Sequence, residues 1–172
     1  MPKLIQFSPQ EEQALGFTHK LVLNYADVAA MTSGTAYSFF PYRNPTTQTL
    51  AMETAAAATT GGRTVAAGVR VTNSAVRVTT AFASAADTIT LVLISGDGGD
   101  TARYAPSTTL KTAAYFASTL KMPFLYVAAD TIDITITAGV EAITVLTAGE
   151  VEIYLGIQDL AALNRPTTLA NS

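Results

Sequence analysis

The last third of the chain alternates between apolar and polar residues almost without a break. Ile132, Ile134 and Ile136 fall on one side, with Thr131, Asp133, Thr135 and Thr137 on the other. Val151, Ile153, Leu155 and Ile157 repeat the pattern against Glu150, Glu152 and Tyr154. Earlier in the chain, Ile89, Leu91 and Leu93 alternate with Thr88 and Thr90. Side chains along a strand point to opposite faces, so a period of two marks strands with one dry face and one wet or half-covered face. Several such strands in one chain predict an antiparallel sandwich. Nothing of comparable strength points to a reaction.

Composition narrows the function further. At 172 residues the chain is one domain by size, with room for a real core. Cysteine is absent, which removes disulfides, thiolate nucleophiles and Cys-based zinc sites. Charged residues make up 13% and the formal net charge is −3, with the ten basic residues scattered from Lys3 to Arg165. Nucleic acid, whose phosphates demand clustered Lys and Arg, is not an expected partner. The 27 threonines suit the outer faces of strands. No stretch carries about 20 continuous apolar residues, so no membrane-spanning helix is expected. The start, Met1-Pro2-Lys3-Leu4-Ile5, lacks the apolar segment of a signal peptide. The expectation is synthesis in a cytoplasm without export by an N-terminal signal.

Residues 1–17 read as an arm and 18–172 as a β-sandwich. Ser8-Pro9-Gln10-Glu11 fits a capping box with proline at the first helical position, and Gly16 would end the helix after barely two turns. So short a helix must dock, on its own sandwich or on a neighbouring subunit. Strands are predicted over 20–25, 35–42, 47–53, 65–72, 75–83, 88–94, 124–128, 130–137, 143–146 and 150–157. The segment 26–34 reads as a connection in which Asp27 can cap, and 55–62 as a flexible loop. The segment 107–120 is ambiguous, with a weak helical stripe at Leu110, Ala113, Ala114 and Ala117. The apolar phase slips from Val69 and Val71 to Val76 and Val78, which predicts a bulge or kink near Asn73-Ser74 in one long strand.

Chemical candidates weigh little. Gly96-Asp97-Gly98-Gly99-Asp100 carries two carboxylates, Asp97 and Asp100. That is too few oxygens for calcium by itself, and the run lacks the lysine of a phosphate loop, so a turn is expected. His19 with Asp27 or Glu12 has no nucleophile at a defined spacing. Glu150 and Glu152 share a strand face roughly 7 Å apart. Without tryptophan to line a cleft, they read as two glutamates on a solvated face rather than a glycosidase pair. No catalytic residue, metal or cofactor is expected. Tyr37 and Phe39 alternate with Phe40 and Tyr42, so both faces of that strand must be covered, by core and by a subunit contact. Together with Leu4, Ile5 and Phe7 of the arm, these four aromatics are the expected interface residues.

The run Val76-Arg77-Val78-Thr79-Thr80-Ala81-Phe82, then Leu91 to Ile94 leading into Gly96-Asp97-Gly98-Gly99-Asp100-Thr101-Ala102-Arg103-Tyr104, resembles structural proteins of tailed bacteriophage virions. So does Ala129-Asp130-Thr131-Ile132-Asp133 followed by Leu146-Thr147-Ala148-Gly149-Glu150-Val151-Glu152-Ile153-Tyr154. The resemblance covers roughly residues 20–160. It implies a jelly-roll-like β-sandwich acting as a capsid cement or decoration protein on the virion surface. Its partners would be the major capsid protein and itself. A cyclic homo-oligomer, most simply a trimer, would cover exposed strand edges. The alternatives are a tail, fibre or baseplate module, and a carbohydrate-binding β-sandwich with aromatics and carboxylates around a cleft.

Overall fold

A computed structural model describes residues 1–83, 88–96, 103–117, 123–139 and 142–160. The fold is all-β, and every strand pairing in it is antiparallel. One sheet runs in the order β1 (Lys3–Gln6), β2 (His19–Asn24), β12 (Ala148–Asp159), β6 (Val69–Ala83), β10 (Phe124–Leu125), with β9 (Ala114–Ala117) also paired to β6. The second runs β3 (Ala36–Ser38), β11 (Ile132–Ala138), β7 (Ile89–Ser95), β8 (Ala105–Thr109). A small ribbon joins β4 (Tyr42–Arg43) to β5 (Leu50–Ala51).

The two sheets share one core. Leu21, Leu23, Val76, Val151, Ile153 and Leu155 from the larger sheet meet Leu91, Leu93, Ile132, Ile134 and Ile136 from the smaller. All of these are fully buried, as the period-two pattern requires. Ile157 lies only partly buried at the margin. The predicted phase slip is a bulge within a continuous β6. Gly156 pairs with Asn73 and Ile157 with Val71, leaving Thr72 without an opposite number. The Thr72 hydroxyl donates to the Gly156 carbonyl at 3.2 Å. Position 156 must be glycine, because a Cβ there would lie 2.7 Å from the Thr72 oxygen and 2.8 Å from the Gly16 carbonyl.

The arm is hydrogen-bonded into the larger sheet as its edge strand, with Leu4 opposite Leu21. The capping box forms, and Gly16 closes α1 (Pro9–Leu15) at φ 70°. Several local expectations give way. The connection after β2 holds a helix, α2 (Tyr25–Ala29). Its cap is Asn24, while Asp27 reaches back to the Asn24 amide. The loop expected at 55–62 is α3 (Ala55–Thr60), capped by Thr54 and built on alanine, the best helix former. Residues 143–146 form a 3-10 turn (Ile143–Val145), not a strand. Ile143 and Leu146, three apart, are the buried pair, and that spacing fits a three-residue turn.

Of the segment 107–120, the described residues to 117 supply strand residues in β8 and β9 rather than a helical stripe, and 118–120 lie outside the described residues. Pro106 is tolerated because β8 is an edge strand. The strand expected over 35–42 stops at Ser38. Pro41 offers no amide, and Tyr42 and Arg43 turn away to pair with Ala51 and Leu50. The latter two are also all that forms a strand in the segment expected over 47–53, though the Glu53 carbonyl accepts from the Ser38 amide. The strand at 124–128 shrinks to two residues. The acidic turn with Asp97 and Asp100 lies outside the described residues.

The face of β11 expected to be wet or half-covered is dry at one end, where Thr131 and Asp133 are buried, while Thr135 is half-buried and Thr137 exposed. Asp133 is 6% exposed, between Ser38 on β3 and Ile94 on β7. α3 packs against β3, the strand that pairs with β11 at this end. The Asp133 Oδ1 atom has no hydrogen-bond partner among the described residues. Burial raises its pKa above the ordinary 3.8, Asp130 adds to the rise, and a hydrogen bond from Thr131 offsets part of it. An acid whose folded pKa is raised costs stability once ionised. The folded state therefore loses stability as pH climbs from about 4 through the raised value, and the penalty then stays in full. Asp133→Asn should abolish that contribution and gain about 1–2 kcal/mol at neutral pH. Urea midpoints of both proteins from about pH 3 to about pH 8 check it. Parallel curves would mean that the carboxyl is solvated or paired.

Candidate functional site

The polar face of β12 turns out to be the most organised surface of the molecule. Antiparallel pairing sets Glu152 opposite Val22 on one side and Arg77 on the other, and Tyr154 opposite Lys20 and Ala75. Glu152 is the hub. Its Oε1 lies 3.2 Å from Lys20 Nζ, and its Oε2 lies 3.4 Å from a terminal nitrogen of Arg77. The Tyr154 hydroxyl donates to Oε2 at 2.6 Å. Burial pushes the Glu152 carboxyl up, but these hydrogen bonds and the two cations outweigh it and hold the pKa below its usual value. Burial, followed by the hydrogen bond to Glu152, pushes Tyr154 up to about 12. Glu152 stays ionised and Tyr154 stays protonated across the physiological range. Neither is placed to exchange a proton.

The pair Glu150 and Glu152 is therefore not a solvated face. Glu152 is 9% exposed within an ion cluster, and Glu150 accepts from the Thr79 hydroxyl at 2.8 Å. Aromatic rings surround the cluster. Phe7 stacks on Tyr154 at 6.5 Å and Phe17 tilts against it at 5.5 Å. The Arg77 guanidinium sits 5.0 Å from the Tyr115 ring centroid. Beside them runs an apolar groove of about 340 Å³, with Leu15 and Phe17 against Tyr115 and Phe116 and with Ala75 and Tyr154 between. Arg77 is its only charged lining residue among the described residues.

A second groove, of about 390 Å³, is lined by Phe40, Pro41, Thr64, Val65, Val69 and Ile157, with Arg63 at its rim. Arg63 pairs with Glu53 and lies 4.7 Å from the Tyr42 ring centroid. Phe40 meets His19 edge-on at 5.8 Å. The His19 Nδ1 is 2.8 Å from the Thr18 hydroxyl, and burial lowers its pKa against the opposing pull of Glu12. Asp27, its other suggested partner, is spent on capping α2.

The expected interface residues do not form one patch. Tyr37 and Phe39 are core residues, 7% and 0% exposed. The alternation that put aromatics on two faces ends at Ser38. Phe40 and Tyr42 are half-buried at the second groove. Leu4 packs on the core, Ile5 is 39% exposed, and Phe7 joins the Tyr154 cluster. Sequence reading missed Arg77, Tyr115, Phe17 and Lys20, because what unites them is pairing between strands far apart in the chain. Only Glu152 and Tyr154 left a local signal. Among the described residues no three acidic or histidine side chains come together as metal ligands, and no helix is long and apolar enough to cross a membrane. Comparison with known proteins returns no matching family, no matching curated protein and no matching solved structure.

Proposed function

We propose that this chain is a structural virion protein, a jelly-roll-like cement or decoration module that binds the outside of a phage capsid shell and braces contacts between major capsid subunits. The observation that carries this reading is the groove beside Phe40 and Pro41. It is an apolar slot with an arginine at its rim, on a rigid β body, and it suits an inserted side chain from a neighbouring protein. Its one charged lining group among the described residues, Arg63, is already paired with Glu53 and sits over the Tyr42 ring, which favours a binding surface over a reacting one. Many copies on one shell bind by avidity, so each contact can be modest.

The test is co-sedimentation of the purified chain with undecorated phage shells. Full-length chain should pellet with the shells. Phe40→Ala should weaken attachment at least about tenfold, as for a central anchor of an interface, while the variant still melts cooperatively. No attachment by the full-length chain would favour a tail, fibre or baseplate module.

A carbohydrate-binding sandwich is the second reading, favoured by the aromatic groove beside Glu152 and Arg77. Weighing against it, the Glu152 carboxylate beside the groove is already taken up by Lys20, Arg77 and the Tyr154 hydroxyl. Oligosaccharide binding that disappears in Tyr115→Ala would install it in place of the shell reading.

A further inference from the structure

Among the described residues eight large apolar side chains are exposed; of these, Tyr115 and Leu125 lie on the strands paired to β6 at one edge of the six-stranded sheet, Val127 follows just after β10, and Leu15 shares the Tyr115 groove. They form two shapes. Leu15 and Tyr115, 53% and 76% exposed, wall the groove that holds Arg77. Leu125 and Val127, 43% and 87% exposed, make a ridge with the exposed Ala128 and Ala129. The ridge ends on Asp130, which lines a small hollow with Val127 and Ala128 and whose Oδ1 accepts from the Thr131 amide at 2.8 Å. One shape is a hollow with a cation, and the other is an apolar ridge with an anion.

Their placement decides how they can meet. Tyr115 is opposite Arg77 on β6, and Leu125 is opposite Arg70. The groove and the ridge are thus separated by about 20 Å of strand. Tyr115 and Leu125 both look outward from the same side of the sheet, because Val71 and Val76, next to Arg70 and Arg77, are the buried positions, and the ridge runs on from Leu125 through the bend at Val127 and Ala128. Two sites on one face meet their counterparts when two molecules face each other. A two-fold axis midway between them sets each groove on the other molecule's ridge.

We propose that the occupant of the Tyr115 groove is the Leu125–Asp130 ridge of a second copy of this chain, and that the pairing is reciprocal. Val127 fills the slot between Leu15 and Tyr115, and Asp130 faces Arg77. Such a contact closes at two copies, not at the three expected from the sequence. It also covers the apolar edge that a lone molecule leaves in water. The inference is independent of the shell reading, since a chain with any role could pair in this way.

The absence of cysteine makes the test clean. Leu15→Cys and Ala128→Cys both lie at exposed positions. Oxidised together, they should give a disulfide-linked pair, and each alone should give none, because a disulfide needs Cα atoms within about 7 Å. Light scattering of the unmodified chain should read twice the 18.0 kDa chain mass. Val127→Asp should raise the dissociation constant at least about tenfold. A single-chain mass at high micromolar concentration would overturn the proposal. So would a three-chain mass, linking within either variant alone, or a Val127→Asp protein that pairs as tightly as the unmodified chain.

Discussion

Replacing Ile134 by Asp should leave the chain unfolded at room temperature, whereas Thr135→Asp should still fold. Ile134 is fully buried, between Tyr37 of β3 and Leu93 of β7, both core residues. The substitution forfeits about 1.5–3 kcal/mol of apolar burial. It also strands a carboxylate without a partner, a further cost of several kcal/mol even after the group takes up a proton. The sum rivals the whole stability of a typical domain, about 5–15 kcal/mol. Thr135 points to the opposite face, beside Ala36 and Val92, and is half-buried. A charge there should cost about 1–2 kcal/mol. Circular dichroism and urea melts of the two variants decide the matter. Equal behaviour would mean that the strand is shifted by one residue, since a one-residue slip exchanges the two faces.

Phe39→Ala should be the second large loss, about 3–5 kcal/mol, or roughly a 10 °C fall in melting temperature for a chain of this size. Phe39 is 0% exposed, and its amide donates to the Ile132 carbonyl at 2.8 Å, so backbone bonding holds the ring in the core. Phe40 packs edge-to-face against it at 5.2 Å but is only half-buried. Phe40→Ala should cost a third as much or less. The contrast separates the core aromatic from the surface one in a run where alternation alone assigned both to covered faces. If Phe39→Ala melted normally and only weakened assembly, the ring would belong to an interface and the burial described here would be wrong.

The strong strands were legible because their cause is local. A period of two in Ile132, Ile134 and Ile136, or in Val151, Ile153 and Leu155, is enforced by backbone geometry, and burial on one side then follows. The capping box at Ser8 and the bulge in β6 were readable for the same reason, since each is written within a few residues. Short elements were not readable in this way. Alanine and threonine at 55–60 suit a loop, a strand or a helix equally, and the Thr54 cap together with packing against β3 selected the helix.

The sequence by itself determined that the chain is an antiparallel β protein, which faces its long strands bury, and that no thiol chemistry is open to it. Which polar residues become buried was decided only by the tertiary structure. Asp133 and Glu152 occupy equivalent outward positions in alternating strands, yet Asp133 is buried between β3 and β7 with no partner for its Oδ1 among the described residues, and cations from β2 and β6 converge on Glu152. The grooves at Tyr115 and Phe40 were decided in the same way. Each is built from segments more than 90 residues apart, brought together by strand order and register, which no local pattern encodes.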